Sequence, residues 1–446
     1  MKKLFFVFAA FCIFLTNLFA ADIPDSSKVR SRIVRSWLKE DLEFLRMKQS
    51  EIFINEVEQK FEVRLEEYDE EFAIIVAPGR KISVEVFKDG RTDLIEADSY
   101  PATLPGSWVL YRDKYDGECT RIKMYFHPDS EIYVQFRPRG NKTLADFIIF
   151  GAYANRDVPI GLSFEKLYTY SFRDLKKLTG LTLPWQYVET QSGLFGGIHQ
   201  MVDILRDKSE EIEYADDVAF NEDGKRVYIS SGLAVKDSAE KKALSSAGYA
   251  KWIIDGLARP IAGSSLFIEP LKQTTVEFDA GSYNEGVGSR YNINFALDWT
   301  RHLASASMSL TSGRTVKYSP SLVDVTVTPF TGLVAKDGRA EEKAPEVIRN
   351  AGYSISIIKP LMCILAATES DYFYLGAVRE SNHKTPEVFY FNEVVSFFPW
   401  FDESGHFMIT VFESGVETSL NSFMRRYAGN YVHLVRVKAS EYFNPQ

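Results

Sequence analysis

Short runs of β-forming residues follow one another closely between Phe72 and Ala154, and this density restricts the possible fold more than any other feature of the sequence. Turn pairs separate the runs, and Asp89-Gly90 and Asp116-Gly117 are typical of hairpins. The runs are Phe72–Val76, Ile82–Phe87, Trp108–Arg112, Ile122–Phe126, Ile132–Phe136 and Phe147–Phe150. They predict a β-rich accessory domain over residues 72–158, built as a small sandwich or a barrel-like sheet.

Apolar residues at helical spacing flank this region. They recur from Ser27 to Lys60, so residues 21–71 are predicted to form a helical segment. Residues 159–215 are predicted to form a connector that contains a helix over Ile198–Lys208.

The last part of the chain, residues 216–446, mixes both patterns. Its predicted elements are a hairpin at Asp223-Gly224, helices over Ser238–Leu257 and Trp299–Leu310, and strands over Tyr372–Val378, Val394–Phe398, Phe407–Phe412 and Tyr431–Val437. Asp237 and Glu240 form a capping box for the first helix, and Pro260 is expected to end it. Together with the first 215 residues, these elements predict an α+β fold.

The first residues are typical of an export signal. Lys2 and Lys3 precede an apolar run over Leu4–Leu18, and Ala20 supplies a small residue for cleavage. Residues 1–20 are therefore predicted to be a signal peptide, with an uncleaved N-terminal anchor as the alternative. We expect an exported protein, periplasmic or extracellular, with no membrane-spanning segment after cleavage.

Charge and motif content argue against several classes of partner and cofactor. The chain has 61 acidic and 52 basic residues and a net charge of −9, which argues against a nucleic-acid partner. No zinc or nucleotide motif is present, so neither a metal nor a cofactor is predicted.

Cys119 and Cys363 could pair in an oxidising compartment, but two distant cysteines do not make a disulfide framework. The apolar neighbours of Cys363 favour a buried, inert thiol.

One segment carries a more specific signal. Residues 244–257 read LSSAGYAKWIIDGL, and this resembles the helix that carries the nucleophile in NlpC-type cell-wall cysteine peptidases, which have a papain-like fold. Gly248 and Tyr249 match the Gly-Phe pair of that helix, and Ser246 stands in place of the cysteine. The segment Phe389–Trp400 looks like the strand that bears the catalytic histidine, but Glu393 stands where that histidine is expected.

The resemblance implies a papain-like domain over residues 216–446 that has lost its catalytic pair. A cysteine peptidase attacks through a thiolate, whereas a serine hydroxyl needs a well-placed general base, and an ordinary carboxylate such as Glu393 is a weak one. We therefore expect an exported envelope protein with an inactive peptidase-like domain. Its former cleft would bind peptide or peptidoglycan fragments and would be lined by Tyr249, Trp252 and Trp299.

Two alternatives remain open at this point. One is an active cell-wall hydrolase that uses Ser246 with a relocated base, for which His383 and His406 are the candidates because they flank the strand in sequence. The other is a purely structural or interaction protein without chemistry in a cleft.

Overall fold

The fold is described by a computed structural model that covers residues 23–88, 91–189, 192–236, 242–276, 293–335, 343–381 and 389–446. The predicted signal peptide, the Asp89-Gly90 turn, the Asp237 and Glu240 capping box and His383 lie outside these residues.

Ten strands make up most of the described chain between Glu51 and Ile160. They are β1 (Glu51–Ile54), β2 (Lys60–Glu67), β3 (Glu71–Pro78), β4 (Arg80–Lys88), β5 (Arg91–Ser99), β6 (Trp108–Asp113), β7 (Cys119–Tyr125), β8 (Ile132–Arg139), β9 (Lys142–Ile149) and β10 (Ala152–Ile160). Strands β1-β2-β3-β6-β7-β8-β9-β10 form one antiparallel sheet in that order, and β4 and β5 form a separate hairpin. The predicted strands are confirmed. The run Ile82–Phe87 belongs to the separate hairpin, and the other five runs lie in one open sheet instead of a sandwich or a barrel-like sheet.

The helical prediction for residues 21–71 is wrong in its second half, where β1 and β2 lie. In β2 the inward residues Phe61 and Val63 alternate with charged residues, and this period of two belongs to a strand. Only the first half is helical. It contains α1 (Ser27–Ile33), a π-helical turn over Val34–Leu38 and α2 (Leu42–Arg46).

These short helices cover one face of the sheet. Val29, Ile33 and Trp37 are fully buried in the same core cluster as Trp108 of β6. The sheet therefore buries its apolar face against helices, and this explains why no second sheet is needed to form the core.

The predicted connector contains helices α3 (Phe172–Thr179) and α4 (Gly196–Ser209). The second of these confirms the helix predicted over Ile198–Lys208. Its residues Ile198, Met201 and Leu205 are buried at helical spacing in the main core cluster.

The C-terminal part has the elements β11 (Ile212–Tyr214), β12 (Val218–Phe220), β13 (Arg226–Tyr228), β14 (Lys242–Leu244), α5 (Ser246–Ala262), α6 (Phe295–Ser312), α7 (Pro320–Val323), β15 (Gly332–Leu333), β16 (Tyr353–Ser354), α8 (Ile358–Thr368), β17 (Tyr372–Ser381), β18 (Phe389–Phe401), β19 (Phe407–Glu413), β20 (Val416–Thr418), α9 (Leu420–Arg426) and β21 (Tyr431–Lys438). The predicted hairpin, the helix after Trp299 and the four late strands are confirmed. With both classes of element present, the α+β fold class is confirmed as well.

The central sheet of this part has the order β16-β21-β17-β18-β19-β20. Helices α5 and α6 pack on one face, where Val394 and Phe398 of β18 join their core cluster. Residues from α8 and α9, including Leu361 and Phe423, cover the other face together with Val395.

Helix α5 differs from its prediction at both ends. It begins at Ser246 because Lys242–Leu244 pairs with β11 as a strand. It also continues through Pro260 to Ala262 and ends at Gly263, which has a left-handed backbone (φ 73°). The carbonyl of Gly256, four residues before the proline, accepts a hydrogen bond from the Asn444 amide at 2.9 Å, so the missing proline N–H leaves no unpaired acceptor.

The N-terminal and C-terminal sheets are tied together. Strand β15 pairs with β10 of the first sheet. The Asp129 carboxylate, in the turn before β8, accepts the Phe407 amide at 2.8 Å and lies 2.9 Å from Nδ1 of His406. Of the helices in the described part of the chain, none is both long and apolar enough to span a bilayer.

Candidate functional site

The N-terminus of α5 is closely packed against β12. Ser245 caps the helix, because its Oγ accepts the Gly248 amide at 3.1 Å and donates to the Val218 carbonyl at 3.1 Å. A Cβ atom at Gly248 would lie 2.0 Å from the same carbonyl oxygen. Glycine is therefore required at this position by a close backbone approach, which is a structural reason for the Gly-Tyr pair.

Ser246 is the first residue of α5 and points at the central sheet. Its side chain is buried, with 5% of the residue exposed, and its Oγ accepts a hydrogen bond from the Val394 amide at 3.3 Å. The structure therefore brings Ser246 into contact with the strand that carries Glu393. The contact is with Val394, the residue that follows Glu393.

The Glu393 side chain lies on the other face of the sheet. Side chains alternate along a strand, and Val394 packs in the cluster of α5 whereas Val395 packs in the cluster of α9. Glu393 pairs with Val378, which also belongs to the α9 cluster. Its carboxylate is therefore not placed to act on Ser246.

The surroundings of Glu393 support this assignment. Burial raises the pKa of Tyr427, just after α9, to about 12, and the charges of Glu393 and Glu413 add to that increase. Burial also raises the pKa of Glu413, and Glu393 contributes to this shift too. Glu413 forms an ion pair with Arg426 at 2.8 Å. Tyr427 and Glu413 could not be identified as neighbours of Glu393 from the sequence, because their position depends on strand register, with Glu413 opposite Val395.

The histidines that the structure describes do not supply a base for Ser246, and the candidate His383 lies outside the described residues. His406 lies at the contact between the two sheets, with its Nδ1 2.9 Å from Asp129. His433 is buried, and its Nε2 lies 3.2 Å from both Asp324 and Arg301. In the described residues, no imidazole forms a hydrogen bond with Ser246.

The two cysteines of the described chain are both free thiols. Cys363 is fully buried in α8, and burial raises the pKa of its thiol well above the ordinary value. Cys119 is half-buried, with its Sγ 2.8 Å from the Tyr168 hydroxyl, and burial raises its pKa as well. Since a nucleophilic cysteine needs a lowered pKa, neither thiol has the properties of a nucleophile.

The three aromatic residues predicted to line a cleft are core residues in the structure. Tyr249, Trp252 and Trp299 are 1%, 3% and 0% exposed. The Tyr249 hydroxyl pairs with Ser209 Oγ at 2.8 Å, and the indole N–H of Trp299 donates to the Ala247 carbonyl at 2.9 Å. Apolar residues at helical spacing mark the buried face of a helix, and on α5 and α6 that face lies in the core of this structure.

Comparison with known proteins gives one match. The model of a family described as a domain of unknown function, DUF8515, matches residues 20–187. This stretch covers strands β1 to β10 and the helices up to α3, and it ends before the segment that contains Ser246. No curated protein matches the chain, and no solved structure matches it.

Proposed function

We propose that the protein is an exported, non-catalytic envelope protein whose C-terminal part is a degenerate papain-like peptidase domain that binds peptide or peptidoglycan fragments. The observation that supports this most directly is the hydrogen bond from the Val394 amide to Ser246 Oγ. It puts the first residue of α5 against β18, which is the helix-on-strand arrangement that the resemblance implies.

The chemistry around Ser246 favours a non-catalytic protein. A serine nucleophile needs a base that accepts its proton. The described hydrogen-bond partner of Ser246 is an amide N–H, which donates to the hydroxyl and cannot accept a proton from it. Burial of the hydroxyl further limits access for a substrate.

The same burial favours a second candidate, a structural or interaction protein with no ligand at the α5 N-terminus. The two candidates differ in one property, which is binding to the cell-wall polymer. We therefore separate them by experiment.

The test uses the purified full chain, the Ser246→Ala variant and insoluble peptidoglycan. Co-sedimentation measures binding, and mass spectrometry of the supernatant measures the release of soluble fragments. We expect the wild-type protein and the variant to bind equally and to release nothing. Fragments released by the wild type and not by Ser246→Ala would indicate an active hydrolase, and absence of binding would leave the structural candidate.

A further inference from the structure

A groove of about 540 Å³ opens at the C-terminal end of α5. One wall is the turn between β12 and β13, with Glu222 and Asp223. The second is the last turn of α5, with Arg259, and the third is the segment after β21, with Tyr442 and Asn444. A volume of this size accommodates a small ligand such as a dipeptide.

The walls are fixed by hydrogen bonds within the protein. The Asn221 side chain accepts the amides of Asp223 at 3.1 Å and Lys225 at 2.8 Å, which fixes the turn. The Asn444 amide donates to the Gly256 carbonyl at 2.9 Å, which holds the third wall on the helix. The groove is therefore preformed, and binding would cost little ordering of the chain.

Two opposite charges, Arg259 and Glu222, line the groove near the buried Lys251–Asp255 pair, with which both interact electrostatically. Burial lowers the pKa of Lys251, and the charge of Glu222 opposes this shift. Burial raises the pKa of Asp255, and the charge of Arg259 opposes that shift. Arg259 donates through Nε to Ser265 Oγ at 2.8 Å, and its two terminal nitrogens have no hydrogen bond or ion pair with the described residues. The guanidinium lies beside the turn, since a Cβ at Gly224 would be 3.6 Å from Arg259 Nη2. Glu222 likewise has no hydrogen bond or ion pair within the described chain, whereas its neighbour Asp223 lies 3.9 Å from Lys225 Nζ.

We infer that this groove binds a small zwitterion, an amino acid or a dipeptide, with its carboxylate on Arg259 and its ammonium on Glu222. A guanidinium held by one nitrogen still offers two N–H groups in the geometry that matches a carboxylate. The carbonyls at the end of α5 add negative potential that favours an ammonium nearby. The inference rests on the proposed binding function and gives that function a location away from Ser246.

The experiment titrates the full chain with alanyl-alanine and follows the binding by calorimetry. Two blocked probes, N-acetyl-alanyl-alanine and alanyl-alanine amide, each lack one charge. The variants Arg259→Gln and Glu222→Gln remove the two receptor charges, and Arg259→Lys keeps the positive charge. Arg139→Gln and Glu210→Gln are the controls, because both residues are exposed and lie outside the groove.

We expect each blocked probe and each charge-removing variant to bind at least about tenfold more weakly, since a hydrogen bond to a charged group is lost. Arg259→Lys should bind with an intermediate affinity, and the controls should match the wild type. Equal affinity for blocked and unblocked dipeptides, or for Arg259→Gln and the wild type, would overturn the inference.

The peptidoglycan co-sedimentation described above separates this inference from the proposed function. If the polymer binds and the groove variants bind it equally well, the groove is not the site and the proposed function stands. If alanyl-alanine binds in the groove but the polymer does not, the groove assignment stands and the part of the proposed function that concerns peptidoglycan fails.

Discussion

At the scale of single residues, small side chains decide how α5 meets the rest of the chain. Ser245 caps the helix, Ser246 reaches the backbone of β18, and Gly248 allows the Val218 carbonyl to approach the helix. The sequence predicted a helix through this segment, over Ser238–Leu257, and the resemblance implied that a sheet follows it. It could not predict that Glu393 faces away from Ser246, because that depends on which side of β18 each residue occupies.

The contact at Gly248 predicts a strong effect of a single methyl group. Gly248→Ala would place Cβ 2.0 Å from a backbone oxygen that cannot rotate away, so we expect a loss of at least about 2 kcal/mol in the free energy of unfolding. Urea denaturation measures the loss. The control is Gly161→Ala, because a Cβ at Gly161 has no heavy atom within 4 Å. Similar stability for the two variants would contradict the packing described for α5.

His127 makes stability depend on pH. Burial lowers its pKa to about 4, while Asp129 opposes this shift and His406 adds to it. In the unfolded chain a histidine has a pKa of about 6.5. Between about pH 6.5 and pH 4, the unfolded chain therefore binds a proton at this histidine and the folded chain does not. Stability contributed by neutral His127 is present above about pH 6.5 and decreases, by about 3 kcal/mol in all, as the pH falls toward 4.

We expect His127→Gln to flatten the pH dependence of unfolding between pH 7 and pH 4.5. The exposed His199 provides the matched variant, His199→Gln, whose profile should follow the wild type. An unchanged slope in His127→Gln would show that this imidazole does not control the pH dependence.

At the scale of elements, periodicity predicted the longest strands and the two longest helices of the C-terminal part. Helix α6 and strands β17, β18, β19 and β21 lie where the apolar pattern indicated. A prediction was wrong where a contact between residues far apart in the sequence outweighed a local helix-ending residue. Pro260 was expected to end α5, but the Asn444 amide, far away in the sequence, satisfies the carbonyl that the proline leaves unpaired.

Helix α5 also carries a buried ion pair that sequence spacing alone does not single out. Lys251 Nζ lies 2.7 Å from Asp255, and both residues are almost fully buried. Lys251→Met would leave the Asp255 carboxylate buried without its partner, and we expect a loss of about 3–5 kcal/mol in the free energy of unfolding.

The double variant Lys251→Met with Asp255→Asn removes both charges, and it should recover part of the loss. Chemical denaturation of the two variants checks this. A double variant that is less stable than Lys251→Met would show that Lys251 does not stabilise the fold by neutralising the buried charge of Asp255.

At the scale of the whole molecule, the two sheets belong to one structure. The main core cluster contains residues of the first sheet, of α4, and of α5 and α6, and β15 extends the first sheet from within the C-terminal part. The sequence predicted a division into segments from changes of pattern. The common core and the pairing of β15 with β10 join residues that are far apart in the sequence. Such contacts produce no local sequence pattern, so the continuity of the two parts could not be predicted.

Because the core is continuous, we expect one cooperative unfolding transition. Scanning calorimetry should give a single peak, and fluorescence and circular dichroism should report the same midpoint. Two well-separated transitions would mean that the first sheet and the α5–α6 unit unfold independently.

Our central proposal is that Ser246 occupies the position of a nucleophile without acting as one. A fluorophosphonate probe tests this directly, because it reacts with activated serines without requiring the natural substrate. Each protein is incubated with excess probe, and its intact mass is compared with that of the same protein without probe. We expect no increase in mass for the wild type or for Ser246→Ala. A stoichiometric adduct on Ser246 in the wild type, absent from the variant, would contradict the claim.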